Sequence, residues 1–368
     1  MPPRRLRLFG RTVEAWVDGT SAGRTLAEEL ALYPEAAPDA EPDLVVRLGD
    51  TAPARPLATN PSTHAEHASG FTARYTVATV AYHFEESRLR ELGIQINTPR
   101  SPLWRQAQRF ADMQFSTRDD RAGIVFHELA LVPAAALDPE RVPVHASALE
   151  APDGSVTLFG GTGGVGKTSL CIELCLHSGH RFVADDIAVL GPDGHVFPNL
   201  AYPKIYGYNL TDNDPLREAV FAERGPLDRA HWHLHQLRGL DKVRRRAAPD
   251  VLYGSFSRAG GPVRRYVLLA RGHTPTLRLD PVSPAEAAAL SVSVLEAELG
   301  DFLNHLRWHA YNRRLLGMPP LATASDVASR WRSGLEKALD GAECLIARVP
   351  AGMEHGAFKR SMREALAV

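Results

Sequence analysis

Residues 161 to 168 read Gly-Thr-Gly-Gly-Val-Gly-Lys-Thr, a complete G-x-x-x-x-G-K-[ST] run, and Ser169 follows directly. No other stretch restricts the possible fold so strongly. The apolar run Val156, Thr157, Leu158, Phe159 just before it predicts a short buried strand. Leu170, Cys171, Ile172, Leu174, Cys175 and Leu176 after it predict a helix. Strand, glycine loop and helix together form the setting in which this pattern binds phosphate, and that setting disfavours an accidental glycine-rich turn. Gly161, Gly163, Gly164 and Gly166 let the backbone take positive φ and turn its N–H groups inward at a helix N-terminus, which makes an anion cradle. The nine residues Gly161, Thr162, Gly163, Gly164, Val165, Gly166, Lys167, Thr168 and Ser169 are therefore the candidate contacts to ATP. Lys167 supplies a point charge for the outer phosphates, and the Thr168 hydroxyl is a hard oxygen ligand suited to Mg²⁺.

Composition sets the surroundings of this loop. A chain of 368 residues with 44% hydrophobic and 23% charged residues is that of an ordinary globular protein with room for more than one domain. A formal net charge of -1 argues against a general nucleic-acid or membrane-surface binder. Cys171, Cys175 and Cys344 read as small buried residues of a reducing compartment, since no C-x-x-C spacing occurs. The first residues, MPPRRLRLFGRTVEAWVDG, meet acids too early for a secretory signal, and no apolar run reaches transmembrane length. The expected location is the cytoplasm.

Residues 1 to 135 read as an α+β accessory region, and residues 136 to 368 as a catalytic α/β domain with C-terminal helices. In the first part, alternation at Leu6 to Val17 and Leu44 to Leu48 predicts strands, and YPEAAPDAEPD between them predicts a surface loop. FTARYTVATVAYHF predicts one or two strands, and Pro102 to Phe115 an amphipathic helix with Trp104 and Phe110 facing inward. In the second part YVLLARG and ECLIARVP predict strands, while Pro284 to Leu299, Ala328 to Leu339 and the terminal HGAFKRSMREALAV predict helices.

The second chemical feature is Asp185-Asp186 within HRFVADDIAVL. Two acids in an apolar strand are costly to bury without a cation or hydrogen bonds. Adjacent side chains of a strand point to opposite faces, which predicts separate tasks, one on Mg²⁺ and one on an acceptor hydroxyl.

HASAL with His145, the glycine loop, and Gly179 to Asp186 together resemble the catalytic core of the HPr kinase/phosphorylase family, and most of all its smaller peptide-serine kinase relatives. The resemblance implies the P-loop core of the HPr kinase/phosphoenolpyruvate carboxykinase type, with a mixed sheet and flanking helices. It implies Asp185 as the base for the acceptor proton, Asp186 with Thr168 as Mg²⁺ ligands, and His145 in support of Asp185 or the phosphates. Two departures stand out: at Gln236-Leu237-Arg238-Gly239 a Gln replaces the acid of the family signature, and the N-terminal part is unlike that of true HPr kinases. Neither HPr as substrate nor phosphorolysis is therefore carried over.

LDKVRRRAAPD, with Lys242, Arg244, Arg245 and Arg246, reads as a basic loop; Arg244 is the candidate for an arginine-finger-like contact, and the cluster suits an acidic peptide. His231, His233 and His235 alternate as a strand-side metal site would, although a helix would splay them. NLAYPKIYGYN, with Tyr202, Pro203, Lys204 and Tyr206, reads as a loop able to line the acceptor pocket. The expected activity is transfer of the ATP γ-phosphate to an alcohol, foremost a Ser/Thr hydroxyl of a protein or peptide. A kinase for a small alcohol and a nucleotide switch that transfers no phosphate are the alternatives; self-association into a homo-oligomer stays open.

Overall fold

Leu6, Leu8, Val13 and Ala15 are the buried apolar positions of two strands, Arg4–Leu8 and Arg11–Trp16, that pair antiparallel across a two-residue turn. Phe9 and Gly10 in that turn take φ of 50° and 73°, the sense that matches the twist of a hairpin. They begin the first of two large mixed sheets in a computed structural model that describes residues 2–49, 55–60, 62–97, 101–211 and 213–366. The next strand, Leu44–Leu48, runs parallel to Arg11–Trp16, a pairing that needs a crossover, and helix Ser21–Leu30 supplies it. The sheet continues through Arg88–Ile96, Ala78–Glu85, Gly70–Arg74, His64–His67 and Ala58–Asn60.

The second sheet lies within the expected catalytic part and places the phosphate loop at its centre. Strand Val156–Gly160 pairs antiparallel with Ala146–Glu150 on one side and parallel with Gly261–Gly272 on the other. Glu343–Pro350 runs parallel along the far edge of Gly261–Gly272. Every residue of Ala146–Glu150 is buried, as are four of the five in Val156–Gly160, which explains their nearly unbroken apolar character. Helices Pro284–Glu298 and Ala324–Ala338 pack on this side, and the indole of Trp331 donates to the Ala136 carbonyl at 3.1 Å.

A helical rod links the two sheets: Arg118–Ile124, the π-helical Val125–Leu131, and Val132–Leu137. The boundary expected after residue 135 falls inside its last segment. Buried charge-bearing contacts also tie the sheets' surroundings together. Arg246 grips Glu29 with two hydrogen bonds of 3.0 and 2.9 Å, and Glu66 accepts from His309 at 2.9 Å.

Two local expectations fail, and the alternative of a histidine metal site is not realised. Helix Pro102–Ala111 buries none of its residues, and Trp104 is 61% exposed: the helix lies on the surface and touches the body mainly through Phe110 against Phe115 and His231. The three histidines sit on helix Pro226–Gln236, so His231 and His235 share a face and stack, while the exposed His233 points elsewhere. Their Nε2 atoms bond to the carbonyls of Asp112 and Phe110, which makes them helix-to-loop ties rather than metal ligands. Finally, Lys204–Tyr206 and Arg244–Arg246, both read as loops, pair as a small two-stranded sheet.

The three cysteines are buried and free, and burial pushes the Cys175 thiol up to about 12. Among the described residues no helix is long and apolar enough to cross a membrane. The terminal helix runs His355–Ala365; Ala367 and Val368 of the expected segment lie outside the described residues.

Candidate functional site

The phosphate loop leaves its strand at Gly160 and enters helix Lys167–His177 through Gly166, whose φ of 113° ordinary residues rarely adopt. A Cβ at Gly166 would lie 2.7 Å from the Phe358 ring, so both conformation and space require glycine. On the other side of the loop, Cβ atoms at Gly163 and Gly164 would meet nothing within 4 Å. Among the described residues the N–H groups of Thr162 to Gly166 donate to no protein acceptor. These are the donors an anion takes in such a cradle.

Lys167 is 7% exposed, and its ammonium donates to the carbonyls of Gly161 and Thr162 and to Nε2 of His145, each at 2.9 Å. Burial pulls the Lys167 pKa down, against Asp185, Asp186 and Glu298. His145 is 5% exposed and held below the usual imidazole range, first by burial and then by the Lys167 charge. A ring that accepts at Nε2 carries its proton on Nδ1. That Nδ1 lies 3.7 Å from Asp186, and Nε2 lies 3.8 Å from Glu298 at the end of helix Pro284–Glu298.

Strand Arg181–Ala184 ends just before the two acids, so the alternation expected of a strand does not apply to them. Asp186 takes φ of 69°, and the carboxylates separate through this turn. Asp185 accepts from the Thr168 hydroxyl, 3.0 Å from each of its oxygens, and from Ser147 at 2.5 Å. Its pKa is raised, by burial first and then by neighbouring Asp186, in spite of those hydrogen bonds. Asp186 leaves 54% of its side chain exposed and faces His145 and Lys204. Partial burial pushes its pKa up, but Lys204, His145 and Lys167 outweigh that and hold it below the carboxylate range.

Lys204 completes the cluster, 3.6 Å from Asp186 and 2.8 Å from Glu128. Glu128 belongs to the π-helix of the rod, which thereby supplies a residue to this neighbourhood. Burial draws the Lys204 ammonium down, but Glu128 and Asp186 more than reverse it. Arg244, directly opposite Tyr206 in the two-stranded sheet, donates to the Tyr206 hydroxyl at 3.1 Å. Its Nε is buried and has no partner among the described residues.

Several expectations need correction. Thr168 lies on Asp185, not Asp186, and His145 lies against Asp186 and Lys167, not Asp185. Ser169 does not present its hydroxyl to the loop; it accepts from Asn209 at 2.6 Å and ties the helix to the Tyr206 turn. The basic run is no open patch, because Arg245 is buried on Asp228, Arg246 on Glu29, and Lys242 pairs with Asp241. Ser147 escaped notice although it lies two residues after His145, a spacing that suits one strand face. Glu298 and Glu128 carry no local signal.

The pair Thr168 and Asp185 offers a hydroxyl and a carboxylate, hard oxygen donors that fit Mg²⁺ when phosphate oxygens and water complete its shell. Among the described residues no cluster of three or more His, Cys, Asp or Glu is arranged to hold a metal by itself.

No family model matches this chain, and no curated protein matches it. Among solved structures, the Hpr(Ser) kinase/phosphatase from Coxiella burnetii is similar over 61% of this chain and 96% of its own, at 14% identity and a TM-score of 0.24. The chemistry proposed below therefore rests on the site's own geometry.

Proposed function

We propose that this chain is an ATP-dependent phosphotransferase with an alcohol acceptor, foremost the Ser/Thr hydroxyl of a protein or peptide. The observation that supports it most is the contact of Thr168 with Asp185 at the foot of a glycine loop whose N–H groups from Thr162 to Gly166 have no acceptor among the described residues. In this reading Gly161 to Gly166 hold the β- and γ-phosphates by backbone donors, and Lys167 lies against their oxygens. Thr168 and Asp185 hold Mg²⁺, and burial of an anionic Asp185 is a cost that a dication relieves. When bound, Mg²⁺ neutralises charge that develops on the phosphate oxygens.

Asp186 takes the acceptor side. It is the accessible carboxylate, and Lys204 and His145 keep it ionised at neutral pH. As the acceptor oxygen forms its bond to phosphorus and the bond to the β-phosphate oxygen breaks, the hydroxyl proton passes to Asp186. A weak base suffices in a loose phosphoryl-transfer transition state. Lys204, 3.6 Å from Asp186, is a cation suited to the transferred group, and Arg244 lies near enough to Lys204 for the two charges to repel.

The test is incubation with Mg-ATP and candidate peptides, read by mass spectrometry for phosphorylated Ser or Thr. Asp186→Asn is expected to lose transfer and keep ATP binding. ATP hydrolysis that leaves every acceptor unmodified would reject the transferase reading.

A further inference from the structure

A cavity of about 220 Å³ that no phosphate-loop residue lines lies between the first hairpin, the turn at Glu86–Ser87, the last segment of the rod and helix Ala324–Ala338. Its apolar wall includes Leu8, Val13, Leu44, Leu131 and Leu137. An apolar cavity of roughly 150 Å³ is enough for benzene, so there is room for a short alkyl or aryl group.

The charge around it is unevenly shared. The lining holds Asp43, Asp138 and Glu140, and Arg11 alone engages all of them, at 3.8, 2.7 and 2.9 Å. Arg88, Arg90, Arg141 and Arg330 also line the cavity, and none has a carboxylate within ion-pair distance among the described residues. Arg330 and Arg141 are half-buried and hydrogen-bond only to carbonyls: Arg330 donates to Ala136 and Leu137 at 3.2 and 3.1 Å, and Arg141 donates to Phe9 and Glu140 at 2.6 and 2.7 Å while its guanidinium lies over the Phe197 ring, 4.6 Å from its centre. Burial lowers the pKa of both, the mark of cations whose desolvation is only partly compensated. Carbonyls leave part of each guanidinium fork unused.

We infer that this cavity binds a small anion with an apolar body, its carboxylate or phosphate head on the arginines and its alkyl or aryl part on the leucine wall. The site is independent of the phosphotransfer reading, although Leu131 in its wall and Glu128 on Lys204 belong to the same π-helix.

Calorimetric titration of the full chain with octanoate tests it, with acetate as head alone, 1-octanol as body alone, and octyl phosphate to separate the two head groups. One saturable site for octanoate or octyl phosphate is expected, with acetate and 1-octanol far weaker and saturating Mg-ATP without effect. Arg330→Gln is expected to weaken binding roughly tenfold, the worth of a charge-assisted hydrogen bond. Arg88→Glu, at an exposed position, reverses a rim charge and keeps the result readable if Arg330→Gln fails to fold. The inference is overturned if neither amphiphile binds, if 1-octanol binds as well as octanoate, if both variants bind as the wild type does, or if Mg-ATP displaces the ligand.

Discussion

Thr168→Val isolates the contact on which the cation assignment rests. Valine matches threonine in shape, so the change removes one hydroxyl and leaves the helix start filled. That hydroxyl lies 3.0 Å from both oxygens of a carboxylate whose other neutral donor is Ser147. A hydrogen bond to a charged group is worth about 1.5–3 kcal/mol. Spread over a chain of 368 residues, an unfolding entropy of about 2 cal/mol/K per residue turns this into a fall of roughly 2–4 °C in Tm. The more telling arm adds ligand, since a molecule that binds only the folded state stabilises it by RT ln(1 + L/Kd), where L is the free ligand concentration, and so raises Tm. Thermal melts with ATP plus EDTA and with ATP plus Mg²⁺ are expected to differ in the wild type. In Thr168→Val the metal-free shift is expected to persist and the extra shift from Mg²⁺ to shrink or vanish. If Mg²⁺ adds as much to the variant as to the wild type, Thr168 and Asp185 are not the cation's ligands.

Other expectations follow from the same contacts. Glu29→Gln strands the buried Arg246 guanidinium and is expected to cost about 3–5 kcal/mol in urea unfolding, part of which Glu29→Gln with Arg246→Met recovers. Stability is expected to fall with acid: burial holds His67, His127, His145, His180 and His305 below their usual value of 6.5, His305 at about 4. A folded pKa below the unfolded one means that the unfolded chain takes up more protons, so their contribution is present above pH 6.5 and lost as pH drops through that window. A Tm that stays flat from neutral pH to pH 5 would contradict this. Gly166→Ala is expected to abolish nucleotide-induced stabilisation, because it meets both a φ of 113° and the Phe358 ring; an unchanged shift with ATP would show that the loop tolerates a side chain there.

What could be read from sequence was local. Strand, loop and helix around Gly161 to Thr168 follow from residues within about twenty positions of one another, and the strands at YVLLARG and ECLIARVP and the helix Pro284–Glu298 are expected from their own residues, whereas helix Gly300–Leu315, which has no clear apolar stripe, is not. Trp104 shows the limit: amphipathic spacing marks a helical face but not whether anything covers it. The arginine run shows it again, since Arg245 and Arg246 reach Asp228 and Glu29, which no local pattern could nominate as partners.

The glycine loop, Lys167, Thr168 and the two acids were determined by sequence alone, because glycine conformation and the order of charged groups are properties of short segments. Only the tertiary structure decided which acid meets Thr168, since the positive φ of Asp186 ends the strand's alternation and turns that carboxylate toward His145 and Lys204. The same holds for Glu128, brought to Lys204 across 76 residues of chain. Such partners are chosen by packing, because a buried charge must find its counter-ion wherever the fold places one.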